Sequence, residues 1–381
     1  MLRLLSKITI TQQPTSDFPI RNSIYIFDFL HEFECVDTWE DLTNTGRITF
    51  PKNIYFKDQL GNTISLQGKN ITSGQNAIPV LLRGDKIKIE LGYKYLTDQG
   101  ETTQMNEVFS GFISKITNKL PITLDLEDNM WRLKQIQAPN KLFRASQYNL
   151  QQIITELLQG SGFTIRTDIT TSVGDFRTQN ETVAQVLERI QKDYRIESYF
   201  KGDVLTCSGL VYYPADRKEV IFQFQQNIIE DDLEYRRKDD IKIGIKAYSI
   251  DEFELEEVTA AGKTKTKKKR LEVSVGPTDG ELRTLYFWNI KSISDLTKQA
   301  QARLNRIYYE GYYGSFTTFG LPFVRQGDAT IIRDSILPER NGTYLIKKVE
   351  YSFSVSGGYR QKIYLDIRID LLSPVEVEQG L

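Results

Sequence analysis

The chain begins and ends in period-two hydrophobic patterning and takes up a helical period in between. Lys86-Ile87-Lys88-Ile89-Glu90-Leu91 alternates polar and apolar side chains, which predicts a strand with one face in water. Ile24-Tyr25-Ile26-Phe27-Asp28-Phe29 reads as a buried strand, and Arg47-Ile48-Thr49-Phe50-Pro51 as a short strand that proline ends. Residues 107–117 and 120–127 form a predicted hairpin turning near Asn118. From residue 146 the spacing lengthens. Asn149 can cap a helix over 150–158 that Gly160 and Gly162 stop. Asn180 can cap a second over 183–190, with apolar residues at i, i+3, i+4 and i+7. Strands at 197–200 and 204–207 flank a Lys201-Gly202-Asp203 turn, so a small α/β module lies between two β regions. Strand-like runs return at 219–224 and 241–248. A helix over 292–309, capped by Ser292 or Ser294, places Leu296, Ala300, Leu304 and Ile307 on one face. Residues 314–369 are strands again, and the tail from Ser373 to Leu381 reads as frayed.

One block recurs in weakened form. Pro79-Val80-Leu81-Leu82-Arg83-Gly84-Asp85 is matched by Pro322-Phe323-Val324-Arg325-Gln326-Gly327-Asp328, and residues 109–116 by 342–349. Ile122-Thr123-Leu124-Asp125-Leu126 is matched by Ile363-Tyr364-Leu365-Asp366-Ile367. From the turn aspartate to the strand aspartate is 40 residues in one copy and 38 in the other. Two divergent copies of one β unit predict a duplicated barrel, which serves assembly more often than catalysis. Glycine permits the positive φ of a tight turn and aspartate can bond backbone amides there, so Gly84-Asp85 and Gly327-Asp328 are expected as barrel corners. Gly111 and Gly342 are expected as further structural turns.

Composition narrows the function classes. Lys plus Arg number 49 and Asp plus Glu 50, so no global field draws the chain to nucleic acid or to an anionic membrane. Twenty Phe and twenty Tyr lean toward β structure. Cys35 and Cys207 are too few and too far apart for a disulfide framework, which makes a reducing cytoplasm the expected place of folding. The N-terminus has charges every few residues and lacks the apolar stretch of a signal peptide, and no window suits a membrane anchor.

No catalytic set, cofactor motif or metal site stands out. His31 is the only histidine. His31 and Cys35 are four apart, which would place two ligands on one helix face, but two ligands are too few for zinc and the flanking apolar residues favour a packed segment. Cys207 reads as a small core residue. Carboxylates cluster at Glu230-Asp231-Asp232 and at Glu254, Glu256 and Glu257, without the cleft geometry a glycosidase needs being legible. Lys263, Lys265, Lys267, Lys268, Lys269 and Arg270 form the one strong charge run. It reads as a solvated loop over 259–270 between strands 250–258 and 271–275, partly neutralised by acidic residues 251–257. The other reading is a basic fringe on phosphate, with steep salt dependence.

The order barrel, α/β module, second β region with a helix resembles the central baseplate hub proteins of contractile-tailed phages. These are the late control protein D group, which includes the Mu-type tail protein and the hub portion of type VI secretion spike proteins. Val108-Phe109-Ser110-Gly111-Phe112-Ile113 with Leu124-Asp125-Leu126-Glu127-Asp128 carries the resemblance first. The helix 150–158 with Gly174-Asp175-Phe176-Arg177-Thr178 and Val186-Leu187 carries it next. Gly320-Leu321-Pro322-Phe323-Val324-Arg325-Gln326-Gly327-Asp328, with Asn341-Gly342-Thr343-Tyr344 and Val349-Glu350-Tyr351, is the most specific stretch.

The resemblance implies a mainly β fold with an α+β insert. A tail-tube-like barrel would occupy residues 1–137, the α/β module 138–217, and a second tube-like barrel 218–381. It implies a non-enzymatic homotrimer whose six pseudo-equivalent barrels form a ring between a hexameric tail tube protein and a trimeric spike, with DNA passing through the channel as a further partner. The protein would be made in the bacterial cytoplasm and assembled into a virion tail or injection-machine baseplate. Since no spike-like barrel, β-helix or lysozyme-like module follows, the spike would be a separate protein. The loop 259–270 has no role in the family pattern. Two other classes compete: a tail-tip cell-wall or glycan hydrolase, and a nucleic-acid- or carbohydrate-binding module using the basic run.

Overall fold

Strand patterning at both ends of the chain builds one structure. The computed structural model describes residues 2–370 apart from 53, 58–62, 66–68, 71–77, 98–99, 118, 168–174, 195, 209–216, 238–241, 252–256, 259–263, 266–268, 289 and 291. Thirteen strands join in a single sheet. The first part of the chain supplies β1 (Leu2–Thr11), β2 (Ile24–Phe27), β3 (Glu32–Thr38), β4 (Thr45–Thr49), β5 (Lys86–Thr97), β6 (Gly100–Ile116) and β7 (Thr123–Glu127). The last part supplies β8 (Glu219–Gln223), β9 (Ile228–Asp231), β10 (Ser315–Phe319), β11 (Ala329–Arg333), β12 (Gly342–Ser354) and β13 (Gly358–Arg368). The order is β9-β10-β13-β12-β3-β4-β7-β6-β5-β1-β2, with β11 beside β12 and β8 beside β11.

The expected pair of closed barrels is therefore corrected. Among the described residues the sheet is open, with β9 and β2 at the ends of its path. Its two halves are joined where β3 runs antiparallel to β12, from Glu32 opposite Ser354 to Thr38 opposite Lys348. One apolar core lies beneath both halves, from Ile8, Phe33 and Ile89 to Phe316, Tyr351 and Ile363. A period-two pattern makes a strand but does not choose its neighbour, and here both halves bury their apolar side chains in one shared core.

The same pairing order occurs in each half. β3-β4-β7-β6-β5 is matched by β9-β10-β13-β12-β11. A register shift falls between Ile113 and Lys115 where β6 meets β7, and between Ile346 and Lys348 where β12 meets β13. These ladders put Leu126 in the place of Leu365 and Leu124 in that of Ile363, because the former pair oppose Ile113 and Ile116 and the latter pair Ile346 and Val349. The Leu-Asp motifs aligned by sequence are thus two residues out of register. A slip of two keeps the same side chains facing inward, so hydrophobicity alone cannot detect it.

Between the halves, helices α1 (Leu150–Leu157) and α2 (Val183–Tyr194) cover a mixed sheet of Thr164–Thr167, Val204–Ser208 and Glu197–Lys201. Asn149 closes a capping box with Gln152, as its position predicts. Thr182, not Asn180, caps α2: its hydroxyl accepts from Gln185 N at 3.3 Å, while Asn180 turns the chain at φ 54°. Helix α3 (Ile293–Asn305) is capped by Ser292 and packs Leu296, Ala300 and Leu304 on strands Ile243–Asp251 and Lys269–Val275. The run at Ile24 is not a buried strand. β2 is a sheet edge that buries Phe27 and leaves Ile24 and Ile26 62% exposed.

Candidate functional site

The alternation that buries Phe33, Ile48, Leu124 and Ile363 turns the intervening residues to the opposite, polar face of the sheet. Register then assembles a transverse row across seven strands. Phe319 lies opposite Arg360, Arg360 opposite Ser352, and Ser352 opposite Glu34. Glu34 lies opposite Arg47, Arg47 opposite Asp125, and Asp125 opposite Lys115. Along Glu34, Arg47, Asp125 and Lys115 the charge alternates in sign at every strand. Arg47 Nε donates to Asp125 Oδ1 at 2.8 Å, which raises the Arg47 pKa. A groove of about 1000 Å³ follows this face across the β3–β12 junction. Five cations and four anions line it, so it presents dense charge with little net field. Nearby, Tyr364 donates to Glu350 Oε2 at 3.0 Å, and burial and that carboxylate push its phenol up to about 12. Lys115, Asp125 and Glu350 fall in stretches the sequence singles out, but Glu34, Arg47 and Arg360 are marked only as polar members of a strand alternation. Their convergence depends on which strands pair.

The turn residues occupy matched places. Gly84 N donates to Ile113 O at 2.8 Å and Ile113 N to Asp85 O at 2.9 Å; Gly327 N donates to Ile346 O at 2.8 Å and Ile346 N to Asp328 O at 2.9 Å. Asp85 Oδ2 accepts from Leu82 N at 2.7 Å and Asp328 Oδ2 from Arg325 N at 2.8 Å. Gly84 and Gly327 have φ of 92° and 85°, as such turns require. Gly111 and Gly342 are not turns. Gly111 lies within β6, where an added Cβ would stand 2.1 Å from Glu127 O; Gly342 opens β12 against Tyr344 and Arg368.

A second cavity, of about 470 Å³, lies where the sheet meets the α/β module and Arg325 of the second half. Asn44 ties the buried Asp128 to the half-buried Asp37. Its backbone N donates to Asp128 Oδ2 at 3.2 Å and its Nδ2 to Asp37 Oδ1 at 3.4 Å. Burial pushes Asp128 up to about 7, against the pull of the Met130 and Asn44 amides and of Lys134, and with a push from Asp37. The neighbouring Asn129 Nδ2 donates to Gly202 O at 2.8 Å and so fastens the α/β module.

The remaining candidates stay apart. His31 is exposed and Cys35 is buried in β3, so the helix-face geometry does not arise. Cys207 is buried in a strand core, as its setting predicts. Glu230, Asp231 and Asp232 are exposed at the β9 edge of the sheet. In the basic run, Lys265 lies in the strand Thr264–Lys265, and Lys269 and Arg270 open Lys269–Val275. Lys263, Lys267, Lys268, Glu254 and Glu256 lie outside the described residues. Among those described, no group of three or more His, Cys, Asp or Glu is placed to hold a metal ion, and no helix is long and apolar enough to cross a membrane.

No family model and no curated protein matches this sequence. Solved structures do match its fold. The tail protein from Neisseria meningitidis MC58 superposes with a TM-score of 0.60 at 12% identity, over 99% of both chains. The 43 kDa tail protein of prophage MuSo2 from Shewanella oneidensis gives 0.55 at 12% identity, over 96% of this chain and 98% of that one. A chain of the half-lidded Francisella PdpA–VgrG complex gives 0.51 at 11% identity, covering 98% of this chain and 59% of its own length. The chain has the fold of these tail proteins.

Proposed function

We propose that this protein is a non-enzymatic structural hub of a phage tail baseplate or related contractile injection machine. Three copies form a ring that adapts a hexameric tail tube to a trimeric spike. The observation that carries this reading is the recurrence of one five-strand pairing order, with its register shift and Gly-Asp turn, in both halves of a single sheet. If the halves are copies of one unit, three chains present six similar units. A threefold assembly can then meet sixfold order on one side and threefold order on the other. The likeness in fold to tail proteins and to a chain of a PdpA–VgrG complex supports the same setting.

In this reading the polar face lines the channel. Alternating charges stay hydrated and give a polyanion such as DNA, or a folded cargo, no strong site at which to stick. Residues 1–137 and 218–381 carry the two repeated halves of the sheet that face the channel, and 138–217 and helix α3 lie outside those halves. Light scattering tests the proposal: the purified protein should have three times the mass of its 44.0 kDa chain, and particle images should show a ring with a central hole. A monomer at high concentration would overturn it.

A further inference from the structure

A third cavity, of about 420 Å³, shares no lining residue with the polar-face groove or with the cavity beside Asp128. Several parts of the chain meet there. Trp39 and Glu40 come from the end of β3, Glu197 from the α/β module, and Arg303 and Arg306 from the C-terminal end of α3. Arg236 comes from the strand Glu234–Arg236, Lys347 from β12 and Asp366 from β13. Clefts between structural units are the usual place for a small ligand, and arginine suits carboxylate and phosphate because its planar fork presents paired N–H donors.

The carboxylates of this cleft are already matched. Lys347 Nζ lies 3.3 Å from Glu40 Oε1, and Arg306 Nη2 donates to Asp366 Oδ2 at 2.9 Å. Glu197 accepts from Gln191 Nε2, and burial raises its pKa against the pull of that bond and of Arg303 and Arg306.

Arg236 is placed differently. Its guanidinium stacks on Tyr313, 3.7 Å from the ring centroid, and Nη1 donates to Ile307 O at 3.5 Å. Stacking takes up the face of a guanidinium and leaves its edge, so N–H donors remain for a further acceptor. Trp39, only 2% exposed, adds to the excess: its indole Nε1 is buried with no acceptor among the described residues. Buried donors seldom go unmet, and here two lie on the wall of one cleft whose carboxylates are all engaged.

We infer that this cleft binds an oxyanion, a phosphate or carboxylate group that accepts from the Arg236 fork while Arg303, Arg306 and Lys347 surround it with positive charge. An anion seated there touches the α/β module, helix α3 and both halves of the sheet, so its binding stabilises their mutual packing. The site goes beyond the hub reading and stands without it.

Thermal unfolding of the full chain tests the inference, with inorganic phosphate and succinate each compared with sodium chloride at equal ionic strength. At least one should raise the midpoint saturably, by about 2–5 °C, as a ligand that binds only the folded state must. Which one answers tells a phosphate ligand from a carboxylate. In calorimetric titration Arg236→Gln should weaken binding about tenfold or more, the worth of a charged hydrogen bond. Lys347→Gln should weaken it by a smaller factor, about threefold, through lost charge alone. Arg47→Gln, on the polar-face groove, should leave it unchanged. Lys347 is only half-buried, so its variant carries the test should Arg236→Gln fail to fold. Equal midpoints in all three salts would overturn the site. So would binding that Arg47→Gln removes and that Arg236→Gln and Lys347→Gln both keep.

Discussion

Arg21 and Asp85 form a two-pronged ion pair closed off from solvent on both sides: Nη1 donates to Oδ1 at 2.8 Å and Nη2 to Oδ2 at 2.6 Å, with both side chains at 0% exposure. Asp85 also accepts from the Gln13 and Leu82 amides, and Arg21 donates to the Gln13, Pro79 and Val80 carbonyls. The first Gly-Asp turn is thereby bolted to the segment after β1. Asp328, its counterpart, makes the same turn through the Arg325 amide, and among the described residues no guanidinium pairs with it.

Arg21→Met should therefore cost about 3–5 kcal/mol, because it leaves a buried carboxylate without its counter-charge. Asp328→Asn should cost only about 1 kcal/mol, the worth of a weakened hydrogen bond. Urea unfolding of the two variants checks the contrast, and equal losses would show that the pair does not anchor the turn.

Asp128 predicts a pH dependence of stability. Its carboxyl is raised from 3.8 to about 7, so the folded state holds its proton more tightly than the unfolded state does. Its contribution is fully present below about pH 4, declines as pH rises towards 7, and is flat above. The total is roughly 4 kcal/mol, since each tenfold gain in proton affinity on folding is worth about 1.4 kcal/mol. Groups facing it are Asp37, Lys134 and the Asn44 and Met130 amides. Asp128→Asn should flatten this decline in unfolding midpoints measured between about pH 4 and 8; an unchanged slope would assign it to other acids.

Gly111 and Gly327 should respond differently to alanine. At Gly111 the new Cβ would meet Glu127 O at 2.1 Å, so β6 and β7 must separate. At Gly327 nothing lies within 4 Å, and only the positive φ is penalised, by about 1–2 kcal/mol. Thermal unfolding should rank Gly111→Ala well below Gly327→Ala, and the reverse order would contradict the strand placement of Gly111.

The two faces of the sheet make a further contrast. Arg47→Ala removes an ion pair that water screens, and should leave the unfolding midpoint almost unchanged. Phe33→Ala, on the opposite face of the adjoining strand, empties a fully buried site and should cost about 3–5 kcal/mol. Denaturant midpoints for both variants distinguish a polar wall from a packed core.

Local chemistry is legible wherever it acts within a few residues. Asn149 and Ser292 cap helices because an acceptor there meets amides two or three positions on, and Gly84-Asp85 and Gly327-Asp328 turn because only local φ and one side-chain bond are involved. Asn180 misleads because Thr182, two residues later, offers the same chemistry in better register. Ile24 and Ile26 look like core in sequence and lie at a sheet edge, since hydrophobicity does not tell a central strand from a terminal one.

Read along the chain, residue order is enough to define the strands, the helical insert, the turns and the existence of a repeated block. It takes the packed molecule to establish that β3 joins β12, that Glu34, Arg47, Asp125 and Lys115 share one row, and that β9 ends the sheet among the described residues. The difference arises because every strand offers the same backbone donors and acceptors. Which distant partner it takes is settled by the side chains both bury and by the turns that set their register.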